Sequence, residues 1–215
     1  TEANIKYGDT QKINEEELLN KIKFGLNKMI EDDEFSGTVL IAKNGIPIFK
    51  EVAGDASKSY LIKNKIDTKF NIASVGKIFT GLAILQLEEQ GKLSFDDTVD
   101  KYVGTDWLKP EVASKIQIKH LLTHTSGLDD YFKKAYAQNA VPAFRNLKDY
   151  KTLLSEDDLL FEPGAKFSYS NSGMLILGVI IEKVSQESYF DYLDTHIFKP
   201  AGMVNSGGFY KDRPV

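Results

Sequence analysis

Residues 74–90 read Ser-Val-Gly-Lys-Ile-Phe-Thr-Gly-Leu-Ala-Ile-Leu-Gln-Leu-Glu-Glu-Gln. Apolar residues cover most of the circumference of a helix with this sequence, which is typical of a helix at the centre of a domain. Gly91 follows directly, and glycine is the usual residue at the C-terminal cap of a helix. We therefore predict a buried helix that begins at Ser74 and ends near Gln90.

Ser74 and Lys77 form the pattern S-x-x-K in the first turn of this helix. Positions three apart share a helix face, so the lysine amine can reach the serine hydroxyl. A serine is a poor nucleophile until a base accepts its proton, which a lysine does when its surroundings lower its pKa. The Ser74 N–H is also expected to face a developing oxyanion, because it lies at a helix N-terminus. The alternative is an ordinary serine N-cap.

A second motif, Y-x-N, occurs at Tyr169-Ser170-Asn171, just before another apolar stretch. A phenol beside a Ser–Lys pair can shuttle protons when a cation lowers its pKa. An asparagine offers one acceptor and two donors, so it can hold both a lysine ammonium and a substrate amide. Ser170 or Asn171 is also expected to cap the helix that follows.

Local patterns predict the other elements. A helix over residues 14–31 begins with a capping box at Asn14, and a β-hairpin over 37–54 turns at Asn44-Gly45. Residues 55–70 are expected to form a polar loop. Further helices are predicted over residues 115–122, 173–184 and 187–198.

Composition excludes several classes of function. The 215 residues are 42% hydrophobic and 27% charged, as in ordinary globular proteins. The net charge is −4, and the sequence has no cluster of basic residues of the kind that binds phosphate backbones. This argues against a nucleic-acid partner. No apolar run approaches the roughly 20 residues of a membrane helix, so we expect no membrane span.

The chain has no cysteine, which excludes disulfides and thiolate nucleophiles. Its three histidines, His120, His124 and His196, are too scattered to suggest a metal site, and no cofactor is expected. The first residue is Thr rather than Met, which fits either a processed or a recloned chain. A removed signal peptide is consistent with this, and we expect a periplasmic or extracellular location.

Three segments together resemble the class C β-lactamase, DD-peptidase and esterase group of the serine β-lactamase and penicillin-binding-protein superfamily. They are residues 70–80, residues 120–128 with the sequence His-Leu-Leu-Thr-His-Thr-Ser-Gly-Leu, and residues 167–173. The resemblance extends over about residues 36–204, with the segments in the expected order.

This resemblance implies an α/β (α+β) fold of the β-lactamase and transpeptidase type, with an antiparallel sheet, helices and an all-α subdomain. Residues 1–215 are then one domain. Residues 1–70 supply the helix and β-hairpin of its α/β part, and residues 71–200 supply the mostly helical part that carries both motifs.

By the same resemblance, Ser74 is the nucleophile, Lys77 is its activating partner, and Tyr169 is the general base and acid. Asn171 is expected to hold Lys77 and the amide of the substrate. Whether Lys77 or Tyr169 takes the first proton stays open.

A rival Ser–His pair, His124 and Ser126, is disfavoured because the chain has no G-x-S-x-G motif and the resemblance makes this segment a structural turn. Residues 129–131 after it can line the rim of the site, but an exposed polar turn is favoured. His196 is expected on a surface helix.

Members of the group carry a third motif, Lys/His-Thr/Ser-Gly or His-x-Gly, on a later strand. Residues 205–208, Asn-Ser-Gly-Gly, are the nearest candidate, but they follow the second motif too soon and have no strand pattern. A lone hairpin is also marginal and leaves a strand edge free. We therefore expect that the chain is C-terminally incomplete and lacks the last strands, the last helix and one oxyanion donor. Losing one donor costs about 10²–10³ in rate.

The sequence thus predicts a serine hydrolase that forms an acyl-enzyme on Ser74 with a β-lactam, a D-Ala-D-Ala-type peptide or a small ester. The 215-residue chain by itself is expected to have little activity. Three alternatives stay open: a non-catalytic or slowly deacylating penicillin-binding sensor, an inactive truncated fragment of the enzyme, and a homodimer in which a second copy completes the sheet.

Overall fold

The computed structural model describes residues 14–137 and 146–208. Its chain divides into two units, Thr1–Phe70 and Asn71–Val215. Helices are combined with small antiparallel sheets, which confirms the predicted α/β class. The boundary falls where the sequence analysis separates residues 1–70 from 71–200. That both units belong to one domain stays a prediction.

The first unit begins with α1, Glu15–Glu31. The side chain of Asn14 accepts a hydrogen bond from the Glu17 N–H at 2.8 Å, so the predicted N-cap is confirmed. Three glutamates in the first turn lie where the helix dipole favours negative charge. Strands β1, Gly37–Lys43, and β2, Ile46–Ala53, then form the predicted antiparallel hairpin.

The turn of this hairpin has φ angles of 53° at Asn44 and 77° at Gly45. Positive φ at both central residues is what a two-residue turn needs to match the twist of its strands. The polar loop expected over residues 55–70 is wrong in part, because β3, Asp55–Ser57, pairs with β4, Ile62–Lys63. Strands of three and two residues are too short to produce a recognisable alternation of apolar and polar residues.

The second unit is organised around α2, Lys77–Glu89, which continues from a 3₁₀ turn over Ala73–Gly76. The predicted helix is thus present, but Ser74 lies in the tight turn rather than in the α-helix. At the other end Gly91 has φ 67°, and the Lys92 N–H bonds the Leu87 carbonyl at 2.9 Å, as in a glycine C-cap.

Helix α6, Asn171–Ser185, packs on α2, and α7, Tyr189–Leu193, packs on both. The helix predicted over residues 187–198 ends in a π-helical turn, Asp194–Phe198. No helix in the described ranges is both long and apolar enough to cross a membrane. The largest side chains of the core are fully buried and include Ile84, Leu87, Leu108, Ile116, Ile118, Leu121, Leu154, Ile176, Leu177, Ile180 and Ile181.

Shorter helices complete this unit: 3₁₀ turns over Val99–Lys101 and Leu147–Leu153, and helices α3, Pro110–Ala113, α4, Ile118–Leu122, and α5, Tyr131–Ala137. The helix predicted over 115–122 is confirmed from residue 118 onward. Its buried residue Leu121 lies against Gly173 in the first turn of α6, where a Cβ would lie 3.6 Å from a Leu121 methyl carbon. This close packing brings the segment after α4 next to the start of α6.

Candidate active site

Ser74, Lys77 and Tyr169 meet at the Ser74 hydroxyl. The Lys77 ammonium donates to Ser74 Oγ at 2.8 Å, and the Tyr169 hydroxyl donates to the same oxygen at 2.9 Å. Ser74 is exposed and Lys77 is half-buried, so the oxygen is open to a substrate. The structure therefore brings together the three residues that the sequence predicts as catalytic; their roles stay predictions.

The backbone around Ser74 is strained. Ala73 has φ 46°, in the left-handed region that costs a residue with a Cβ roughly 1–2 kcal/mol. The Asn71 side chain accepts the Ala73 N–H at 2.8 Å and holds the turn in place. Within the described ranges no acceptor is bonded to the Ser74 N–H, which lies at the N-terminal end of the 3₁₀ turn and α2.

The ionisation of Tyr169 is set by its neighbours. Burial by itself raises the pKa of Tyr169, but hydrogen bonds with Lys77 and Ser74 and the positive charge of Lys77 outweigh burial and lower it. The Lys77 ammonium lies 5.1 Å from the centre of the Tyr169 ring, within the range of a cation–π contact. The negative charge of Asp130 acts in the opposite direction. Tyr169 therefore loses its hydroxyl proton more readily than an ordinary tyrosine.

Asn171 lies at the start of α6 and does not cap it. Ser170 is the cap, because its hydroxyl accepts the Gly173 N–H at 3.2 Å. The Asn171 amide nitrogen instead donates to Asp130 Oδ2 at 2.8 Å. In the described part of the chain we find no hydrogen bond between Asn171 and Lys77, so the expected role of Asn171 in holding Lys77 stays a prediction.

Asp130 lies beside the second motif, as in the less favoured of the two interpretations of residues 129–131. The favoured interpretation, an exposed polar turn, is wrong for Asp130, because it is half-buried and bonded to Asn171. Its other oxygen accepts the Phe132 N–H at 2.9 Å at the start of α5. An Asp just before a helix is a recognisable N-cap signal, but its contact with Asn171 depends on how α5 and α6 pack.

His124 and Ser126 do not form the rival catalytic pair within the described ranges. The Ser126 hydroxyl is buried and accepts the Leu128 N–H at 3.3 Å. The His124 Nδ1 accepts the Ser170 N–H at 3.3 Å, and its ring lies 4.5 Å from the ring of Tyr169. His196 lies in the π-helical turn after α7, half-buried, and bonds Glu187 at 2.8 Å.

A cavity of about 310 Å³ opens beside Lys77 and Asn171. Most of its wall is apolar and comes from α2, α6 and α7 and the π-helical turn, with Phe79, Met174, Leu175, Tyr189, Leu193 and Phe198. The nearest sequence candidate for a third motif, residues 205–208, forms a turn and coil without a strand. Its two glycines reach the edge of this cavity.

The chain is similar in sequence to proteins that are already known. The Beta-lactamase family model matches residues 26–210. Penicillin-binding protein 4* of Bacillus subtilis (strain 168) is 39% identical over 175 residues, which are 80% of this chain and 38% of that protein. The chain spans about two fifths of the length of the curated relatives it matches.

Solved structures show the same likeness. The penicillin-binding protein from Bacillus halodurans superposes with a TM-score of 0.78 at 39% identity, over 88% of this chain and 57% of that one. A class C β-lactamase solved in complex with cefoxitin gives a TM-score of 0.74 over 90% of this chain and 52% of that one, and its 23% identity shows the fold alone. The resemblance predicted from the three segments is confirmed: the chain belongs to the beta-lactamase family, whose members are of the serine hydrolase type.

Proposed function

We propose that this protein transfers an acyl group from its substrate to Ser74 and then to water. The observation that carries the proposal is the convergence of Lys77 Nζ and the Tyr169 hydroxyl on Ser74 Oγ, at 2.8 and 2.9 Å. Either group, once it has lost its own proton, lies within the distance at which a base can take the serine proton directly.

In the first step, the proton of the serine hydroxyl passes to one of these two groups while Oγ forms a bond to the acyl carbon. The bond between that carbon and the leaving nitrogen or oxygen breaks, and the leaving group takes the serine proton, which reaches it through Tyr169. A water molecule then attacks the acyl carbon and gives a proton to the same base. The bond between that carbon and Ser74 Oγ breaks, and Oγ takes the proton from the base. The lowered pKa of Tyr169 supports Tyr169 as the base, since its phenolate is then populated closer to neutral pH.

The negative oxygen that forms on the acyl carbon is stabilised by the Ser74 N–H, at the positive end of the helix. The sequence shows no third motif, from which a second donor is expected. Because one missing donor costs about 10²–10³ in rate, we expect the 215-residue chain to be acylated slowly.

A β-lactam is the substrate class with the most direct support, because a 39% identical relative is named a penicillin-binding protein. Peptides ending in D-Ala-D-Ala and small esters are acylating agents of the same chemistry. We further propose a periplasmic or extracellular location. Fractionation of cells that express the full-length gene product tests it, and recovery in the cytoplasm alone would contradict it.

The acylation is tested with a fluorescent penicillin and with p-nitrophenyl acetate, each incubated with the full-length gene product and, in parallel, with the 215-residue chain. Mass spectrometry is expected to find the acyl group on the peptide that contains Ser74. Ser74→Ala is expected to abolish the adduct, whereas Ser114→Ala, an exposed serine outside the site, is expected to keep it. An adduct that persists in Ser74→Ala, or no adduct with either reagent on the folded full-length gene product, would refute the proposal. An adduct that outlasts many hours identifies a slowly deacylating protein.

A further inference from the structure

His124 contacts the segment around Tyr169 at four points, one of which is an edge-on contact of its ring with the Phe167 ring, with the centres 6.0 Å apart. Its carbonyl accepts the Ser168 N–H at 2.8 Å, and its ring nitrogen Nδ1 accepts the Ser170 N–H at 3.3 Å. Its ring lies on the Tyr169 ring, with the centres 4.5 Å apart and the planes 34° apart. One residue therefore holds the backbone on both sides of Tyr169 and the side chain between them.

The backbone conformation of His124 makes this possible. Its φ of 56° is in the left-handed region, which residues with a Cβ rarely adopt. The turn it produces lets the carbonyl and the ring face the same segment. Strained positions of this kind persist only where the surroundings hold them, and they cluster at functional sites.

We propose that His124 is a positioning residue for Tyr169 and that it holds Tyr169 in place only while its imidazole is neutral. The proposal rests on the acyl transfer proposed above, in which Tyr169 moves protons at Ser74. The sequence predicts only a structural turn at His124. In the proposed reaction His124 supplies no reacting atom and acts through Tyr169 and its neighbours in the chain.

The hydrogen bond from the Ser170 N–H determines which protonation state of His124 can hold Tyr169 in place. A ring nitrogen that accepts an N–H carries no proton, so the proton of neutral His124 is on Nε2. A second proton would have to go on Nδ1, where it would point at the Ser170 N–H. Two donors would then face each other and the bond would be lost. Ser170 lies between Tyr169 and Asn171, so both residues of the motif would lose a support.

Charged and titratable groups face the His124 ring from three directions: Lys77 from α2, Asp130 from the segment before α5, and Tyr169 from the segment before α6. Burial first, and then the charge of Lys77, lower the pKa of His124, whereas Asp130 opposes them. His124 is accordingly neutral near neutral pH. Its protonation and the loss of positioning are expected only as the pH falls below the ordinary histidine pKa of about 6.5.

The test uses two variants that separate the ring from its nitrogen. His124→Phe keeps an aromatic ring on Tyr169 and removes the acceptor, whereas His124→Asn keeps an acceptor, tolerates the left-handed backbone and removes the ring. His120→Asn is the matched control, because His120 Nδ1 also accepts a backbone N–H, from Gln117 at 3.2 Å, and burial also lowers its pKa.

The rate of Ser74 acylation by fluorescent penicillin is measured in a single turnover from about pH 4.5 to 8, with thermal melts to verify folding. At pH 7 His124→Phe is expected to be slower by about tenfold, the effect of one lost hydrogen bond in the site. His124→Asn is expected to be slower by about two- to tenfold, for the lost ring contact. Both variants are expected to lack the loss of rate at acidic pH that depends on His124, and His120→Asn to retain it.

An acidic loss of rate that is unchanged in His124→Phe, or a rate of this variant equal to wild type at pH 7, would overturn the proposal. ¹⁵N spectra of the histidine rings provide a readout that needs no activity: an unprotonated Nδ1 is expected for His124 at neutral pH, and a proton on Nδ1 would overturn the proposal. If instead wild-type protein is never acylated, the proposed function fails, whereas the ring spectra still decide the positioning by His124.

Discussion

Replacing Asp130 with asparagine removes a negative charge from the edge of the site and weakens the hold on Asn171. The wild-type bond joins an amide nitrogen to a carboxylate oxygen at 2.8 Å, and hydrogen bonds to charged groups contribute about 1.5–3 kcal/mol. An amide in place of the carboxylate keeps a neutral bond of about 0.5–1.5 kcal/mol. The difference of about 1 kcal/mol corresponds to a factor of about five in the rate of acylation. A carboxylate only accepts, so it also determines which end of the Asn171 amide faces it, which an asparagine cannot do.

The assay compares two acylating agents. A penicillin carries a side-chain amide that Asn171 is expected to bind, whereas p-nitrophenyl acetate has none. Asp130→Asn is expected to slow acylation by penicillin about fivefold and acylation by the ester less than twofold. Asp129→Asn is the control with the same change in net charge; Asp129 is half-buried and contacts the Asp130 N–H and Lys133. Equal losses for both agents, or equal losses for both variants, would refute a specific role of Asp130 in orienting Asn171.

Two further changes test the fold itself. Asp97 accepts hydrogen bonds from Tyr102 and Lys101, which lower its pKa to about 2. Its contribution to stability is therefore complete above the ordinary Asp pKa of about 4, and it is lost as the pH falls through about 2. Urea unfolding at several pH values is therefore expected to show Asp97→Asn less stable than wild type at pH 7, with the gap closing between pH 4 and 2; a constant gap would contradict this. Ile84→Ala, at a fully buried position of α2, is expected to cost about 2–5 kcal/mol of unfolding free energy. Ile78→Ala on the exposed face of the same helix is expected to cost less than about 0.5 kcal/mol, and similar costs for the two would show that α2 is not packed as described.

Sequence patterns predict the parts of this fold that depend on neighbours along the chain. The hairpin follows from Asn44-Gly45, whose positive φ angles the structure shows, and the N-cap of α1 follows from Asn14. The contact of Lys77 with Ser74 follows from helical spacing alone. Each of these predictions needs only local geometry, and each is confirmed.

The parts that could not be predicted depend on packing between distant segments. The bonds from Ser170 to His124 and from Asn171 to Asp130 join residues 46 and 41 positions apart. They form because α4 and α5 pack on α6, and no periodicity in the sequence specifies the register of that packing. The left-handed conformation of His124 is likewise invisible in the sequence, because the residue type does not require it.

Taken together, these contacts explain how an exposed tyrosine keeps a defined position. Tyr169 is 44% exposed, so burial in the core does not hold it. Besides its contacts with Ser74 and Lys77, its support comes from one short segment, in which His124 contacts it and its two chain neighbours, while Asp130 holds Asn171. Between these two residues Gly127 has φ 80° and approaches Phe161 so closely that a Cβ would lie 2.3 Å from its carbonyl oxygen, which anchors the segment to the rest of the unit. In the proposed reaction this segment supplies no reacting atom, yet both sides of the Y-x-N motif depend on it. Its histidine and aspartate should therefore be counted with the site when substrates or pH dependence are explained.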